Sequence, residues 1–129
     1  MKLRTYQVGS PRTRADGLRI GTVRFLPRGV KKEDYGRRDC FDVWLPLLAP
    51  SRDLIRWLKS GAITDTRWAQ FAKRYASEML TNTDCRQTIQ LLAAIAKRTP
   101  ISIGCYCADE QHCHRSLLRK LIASAAQAD

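Results

Sequence analysis

The chain has 129 residues, 44% of them apolar, and carries a formal net charge of +11. This length and composition predict one folded domain over residues 1–129 and exclude fibrous and disordered classes. No apolar run approaches the roughly 18 residues of a membrane span, and residues 1–6 lack the apolar core of a signal peptide. We therefore expect a cytoplasmic protein with no membrane partner, and its five cysteines indicate reduced thiols rather than a disulfide framework.

Positive charge is concentrated in the first 40 residues, where eleven Lys and Arg face four Asp and Glu, a net of +7. Such a surface attracts phosphates, and nucleic acid is the most common polyanion. A well-solvated basic surface is the alternative. No RNA-binding aromatic signature is present to strengthen the nucleic-acid interpretation. The sequence leaves the oligomeric state open.

Strand patterns open the chain. Residues 2–8 predict a short strand, and a loop with an Asp-Gly turn signal follows it. Residues 18–26 alternate in polarity and predict a second strand, stopped by Pro27 and Gly29. The charged stretch 30–38 predicts a surface loop.

Helical spacing begins at Phe41. Phe41, Trp44 and Leu48 predict a short helix that Pro46 limits. Ser51 is a suitable N-cap for a second helix that ends at Gly61.

Two longer helices follow. Thr64 or Asp65 caps one, whose apolar positions recur at steps of three and four residues: Trp68, Phe71, Ala72, Tyr75 and Met79. Thr83 or Asp84 begins the next, with Ile89, Leu92 and Ile95 facing inward.

A strand over 101–107 and a helix over 113–126 complete the chain. The order of elements predicts a single α/β domain with a small, largely parallel sheet and helices on both faces, a three-layer, Rossmann-like arrangement.

Residues 105–115 contain three of the five cysteines, both histidines, two carboxylates and an arginine. They lie between the last predicted strand and the last predicted helix. Open α/β sheets bind ligands at the carboxyl ends of their strands, so we expect the functional site there.

The leading hypothesis is a site for a phosphate-bearing ligand, a nucleotide or nucleic acid. The N-terminus of the last helix offers free N–H groups, and an arginine fork suits phosphate oxygens. Carboxylates beside it accept hydrogen bonds from a ribose or a base. The candidate ligand-binding residues are Arg24, Arg28, Asp109, Glu110, Arg115 and Ser116.

A second hypothesis is a cysteine-dependent enzyme. Cys107 or Cys113 would be the nucleophile, activated at the helix terminus, and His114 the acid or base. The cysteine-to-Arg115 spacing does not match that of cysteine-dependent phosphatases. Alternatively, Cys105 and Cys107 are small apolar residues of the core.

A third hypothesis is a zinc-stabilised interaction module; otherwise no cofactor is predicted. Cys105, Cys107, Cys113 and His114 match the number and type of ligands that zinc prefers. The spacing C-x-C-x5-C-H is uncommon for zinc, and adjacent ligands such as Cys113 and His114 seldom reach one metal.

Several spaced blocks give the chain a resemblance to the domain of unknown function 488 family. They are Asp16–Ile20, Leu26–Val30, Trp44-Leu45 with Leu48–Ser51, Phe71 with Tyr75, and Cys107 with Cys113–Ser116. The resemblance implies a compact α/β domain of the bacterial or archaeal cytoplasm. Leu26 and Val23 replace the Trp and Asp usual beside the Pro-Arg-Gly block, and the Cys-His-Arg ending belongs to another branch of the family.

Overall fold

Four parallel strands form the single sheet of the computed structural model, which describes residues 1–128. The strands are β1 (Leu3–Gln7), β2 (Leu18–Gly21), β3 (Val43–Trp44) and β4 (Ile101–Cys105). Their order across the sheet is β1-β4-β2-β3, and every neighbouring pair is parallel. The predicted α/β class and parallel sheet are confirmed.

Four α-helices accompany the sheet: α1 (Arg52–Lys59), α2 (Asp65–Thr81), α3 (Thr83–Ala96) and α4 (His114–Gln127). The side chains of Ser51 and Thr64 cap α1 and α2, as predicted, by accepting backbone N–H bonds. Asn82 caps α3, one residue before the predicted start. Within residues 1–128 no helix is long and apolar enough to cross a membrane.

The helix predicted from Phe41 is wrong. Val43 and Trp44 instead pair with Ile20 and Gly21 as the edge strand β3, followed by a 3₁₀ turn over Pro46–Leu48. The apolar spacing that predicts a helix has another cause here. The Phe41 ring packs against Gly21 of the sheet, where an added Cβ atom would lie 2.3 Å from the ring.

Two predicted strands extend too far. β2 ends at Gly21 rather than residue 26, and β4 ends at Cys105 rather than residue 107. β2 and β4 pair with each other only as far as Gly21 and Gly104, so neither strand continues to its predicted end. The residues beyond the strand ends are therefore free to shape the site.

The helices and one face of the sheet share the main core. Leu3, Ile20, Ile101 and Ile103 project from this face and join one buried cluster with residues of all four helices. The α2 stripe is buried at Phe71, Tyr75 and Met79, in agreement with its spacing.

The other face is covered by loops and short 3₁₀ turns, where α-helices had been expected. Arg19 is 1% exposed there and pairs with Asp16 at 2.9 Å. Its guanidinium also donates to the carbonyls of Ser10, Pro11 and Asp39, and it lies 4.2 Å from the Tyr6 ring centroid. These bonds from one arginine hold the loops against this face of the sheet, so the loops cover it in place of helices.

Close packing on this face makes Gly104 intolerant of a side chain. A Cβ atom there would lie 2.4 Å from the buried Tyr6 ring, whose hydroxyl donates to the Cys40 carbonyl. We predict that Gly104→Ala lowers the free energy of unfolding by about 1–3 kcal/mol in urea titrations. Gly36→Ala is the control, since its nearest neighbour would be 3.8 Å away; equal losses in both variants would contradict the packing argument.

Candidate functional site

The candidate site lies at the carboxyl edge of the sheet, as expected. β4 ends at Cys105, and α4 begins at His114 with Cys113 as its N-cap residue. A 3₁₀ turn over Glu110–His112 connects them. The short connection brings the strand end and the helix start together.

Three thiols and an imidazole converge at this edge. The Sγ atoms of Cys105 and Cys107 are 3.9 Å apart, and Cys113 Sγ lies 4.0 Å from His114 Nδ1. Donor atoms of Cys105, Cys113 and His114 all lie within 4.8 Å of one another. These three residues are buried, whereas Cys107 is exposed. We call the four residues the thiol–imidazole cluster.

The tautomer of His114 follows from its hydrogen bonds. Nε2 lies 2.7 Å from the carbonyl oxygen of Thr22, which can only accept. Nε2 therefore carries the proton, and Nδ1 directs its lone pair toward the thiols. Sequence reasoning missed Thr22, because a partner that acts through its backbone carbonyl leaves no side-chain signal.

Burial keeps this imidazole neutral. Removal from water lowers the pKa of His114 to about 4, although the bond to the Thr22 carbonyl opposes that shift. The Tyr75 ring packs beside it, with centroids 5.8 Å apart. A neutral imidazole with a free lone pair is the state that binds metals.

The three thiols share their protons unequally. Hydrogen bonds from Cys105 and Cys113 hold the pKa of Cys107 far below its usual range, with the Arg115 charge assisting. Donation to these partners raises the pKa of Cys113, which burial raises further. Backbone N–H groups of Cys107 and Arg115 in turn donate to the sulfurs of Cys105 and Cys113. The cluster therefore stabilises negative charge on Cys107 and keeps the protons on Cys105 and Cys113.

Two of the three arginines predicted to bind phosphate, Arg24 and Arg115, donate to backbone carbonyls. Arg115 is 4% exposed, and its Nη1 donates to the Cys107 carbonyl. Arg24 donates through Nε and Nη2 to the carbonyls of Ala49 and Pro50. Arg28 lies exposed on the loop after β2.

The remaining predicted ligand-binding residues have structural partners. Asp109 accepts from the Gln111 N–H and contacts His112. Glu110 accepts from the Thr5 hydroxyl at 2.6 Å, and the Ser116 hydroxyl donates to the Cys113 carbonyl. The fold thus gathers the residues predicted for metal binding and catalysis, whereas most of those predicted for phosphate binding are engaged in hydrogen bonds within the chain.

A cavity of about 210 Å³ opens onto the cluster, and all four cluster residues line it. Its walls are mostly apolar side chains from the loop after β2, from α1 and α2 and from the end of β4: Val23, Phe25, Ile55, Leu58, Phe71 and Tyr106. Arg24, Lys59 and His112 add polar groups. Of these wall residues, only Arg24 was predicted to belong to the site. Apolar residues at helical spacing line a core as often as a cavity, so their pattern does not distinguish the two.

Comparison with known proteins identifies the family. The model of the active DUF488-N3 subclade matches residues 3–126. The chain belongs to the domain of unknown function 488 family. It is also 32% identical over 103 residues to the uncharacterized protein YeaO of Escherichia coli strain K12, covering 80% of this chain and 81% of YeaO. No solved structure matches the chain significantly.

The neutral state of His114 predicts a pH dependence of stability in reduced protein kept metal-free with a chelator. Its pKa is about 4 when folded and 6.5 when unfolded, so only the unfolded chain binds a proton between these values. The free energy of unfolding should fall by about 1.4 kcal/mol per pH unit as pH drops through this window.

His114→Gln provides the comparison, because glutamine does not titrate. The difference between wild type and variant isolates His114, since Asp16 and Asp42 have lowered pKa values and titrate below this window. A difference that stays constant from pH 6.5 to 4 would contradict a buried neutral imidazole.

Proposed function

We propose that this chain binds a metal ion of the zinc class through Cys105, Cys113 and His114, with Cys107 as the fourth ligand. The observation that carries the proposal is the orientation of His114. Its Nε2–H is committed to the Thr22 carbonyl, and its Nδ1 lone pair faces buried thiols. Thiolate and imidazole ligands together select zinc among the common divalent ions.

The surroundings of the ligands support this proposal. Metal-ligating histidines usually donate their second N–H to a carbonyl or carboxylate, which fixes the ring and its tautomer. The Thr22 carbonyl occupies that position here. Backbone N–H groups of Cys107 and Arg115 are directed at the sulfurs of Cys105 and Cys113, where they would stabilise the thiolates once a metal replaces the protons.

The distances suit a tetrahedral ion after a small contraction. With Zn–S near 2.3 Å and Zn–N near 2.0–2.1 Å, neighbouring ligand atoms lie roughly 3.5–3.8 Å apart. The Cys105–Cys107 and Cys113–His114 donor atoms are 3.9 and 4.0 Å apart. The donor atoms of Cys105, Cys113 and His114 lie within 4.8 Å of one another, so side-chain shifts of about 1 Å would bring them to these separations, and Cys107 would join from beside Cys105.

The geometry favours metal binding over a phosphate clamp, which stays a prediction. Arg24 and Arg115 both donate to backbone carbonyls, so a phosphate would have to displace those bonds. The subclade whose model matches this chain is described as active, without a stated reaction. A metal at the floor of a cavity accords with that description.

Metal content tests the proposal directly. We predict about one zinc per chain in untagged protein purified without chelators, with a lower melting temperature after chelation. Cys113→Ser and His114→Gln should lose the metal, because each removes a buried ligand.

Cys85→Ser is the matched control, since Cys85 is also buried but contacts the Leu47 carbonyl, away from the cluster. It should keep the full metal content. If wild-type protein reconstituted with zinc under reducing conditions holds no metal, the proposal fails, and the cluster is a set of free thiols.

A further inference from the structure

We infer that the coordination position that Cys107 occupies on the metal is exchangeable. A small anion that carries one apolar ring binds at this position by entering from the cavity. This inference rests on the proposed metal site and names its ligand class. It follows from three independent features: unequal burial of the ligands, the walls of the cavity and its charge.

Burial divides the four cluster residues into three buried ligands and one exposed ligand. Cys105, Cys113 and His114 are 8%, 2% and 7% exposed. Cys107 lies beyond the end of β4 and is exposed. Catalytic zinc sites have three protein ligands and a fourth position open to water or substrate, which is what this site would become if Cys107 left the metal. Cys107 is therefore the ligand that an incoming group can displace.

The cavity has the size and lining for one ring. Its volume is about 210 Å³, whereas an apolar cavity of about 150 Å³ accommodates benzene. Phe25 and Tyr106 line it at the solvent side, and the Tyr106 hydroxyl donates to the Phe25 carbonyl. Ile55 and Phe71 line it from the helices. An aromatic or branched apolar body would replace water on these surfaces.

Charge favours an anion as the coordinating group. A zinc ion with the Cys105 and Cys113 thiolates is neutral, and an anion in place of the Cys107 thiolate leaves the net charge of the centre unchanged. Arg24 and Lys59 add positive charge at the cavity. An acidic ligand would take the position of the Cys107 sulfur through its oxygen, and the proton that it loses would pass to solvent or to the released sulfur.

Two hydroxamic acids, one with an aromatic ring and one without, distinguish the contribution of the ring to binding from that of the coordinating group. We would load the protein with Co²⁺, whose visible spectrum reports its ligands, and titrate benzohydroxamate and acetohydroxamate. Both change the spectrum if the position is exchangeable, and benzohydroxamate should bind at least about tenfold more tightly because its ring is buried. Equal affinities would overturn the ligand class. A spectrum unchanged by either compound would overturn the exchangeable position.

A substitution in the wall tests where the ring lies. Ile55→Trp adds bulk to the cavity from α1 and leaves every ligand residue unchanged, so cobalt binding should persist while the preference for benzohydroxamate disappears. Leu91→Trp on α3 is the control, because Leu91 is 60% exposed and lies outside the cavity lining. An undiminished preference in Ile55→Trp would contradict a ring in this cavity.

Removal of individual ligands distinguishes failure of this inference from failure of the metal site. Cys107→Ser should retain one Co²⁺ per chain and bind benzohydroxamate more tightly, because the competing thiolate is gone. Cys105→Ser should lose the cobalt. If Cys107→Ser loses the metal as completely as Cys105→Ser, all four ligands are fixed and this inference falls while the metal proposal stands. If wild type binds no cobalt, the metal proposal itself is wrong.

Discussion

The hydrogen bond from His114 Nε2 to the Thr22 carbonyl is the constraint on which the site depends. It joins the first residue of α4 to the residue after β2. The same bond fixes the imidazole tautomer, so that Nδ1 faces the thiols rather than the protein backbone. Because the ring is buried and neutral, its charged form is disfavoured, and it functions as a lone-pair donor at neutral pH.

The chain supports this arrangement with backbone groups rather than with additional acids or bases. Arg115 holds the Cys107 carbonyl, and backbone N–H groups donate to two of the sulfurs. Interactions that favour a thiolate by one pKa unit are each equivalent to about 1.4 kcal/mol. In the metal-free chain they oppose the burial and thiol–thiol hydrogen bonds that raise the pKa of Cys105 and Cys113, and the sulfur anion is favoured at Cys107.

The sequence predicted much of the fold and the edge of the sheet at which the candidate residues lie. Periodicity and capping residues located α1 and α2, and clustering identified residues 105–115. The main argument against a metal was that adjacent Cys113 and His114 seldom reach one ion. That argument does not hold for this pair, because the backbone changes conformation between the two residues. Cys113 is extended, with φ −129° and ψ 143°, and His114 is the first residue of α4. No sequence pattern encodes that change of backbone direction, and none shows that Arg24 and Arg115 would bind carbonyls.

X-ray absorption at the zinc edge of the purified protein tests the metal centre most directly. The account predicts a four-coordinate ion with sulfur neighbours near 2.3 Å and a histidine nitrogen near 2.0–2.1 Å. Three sulfurs are expected without added ligand, and two after benzohydroxamate displaces Cys107. An ion surrounded only by oxygen and nitrogen would show that the metal binds elsewhere, and would contradict the assignment of Cys105, Cys113 and His114 as its ligands.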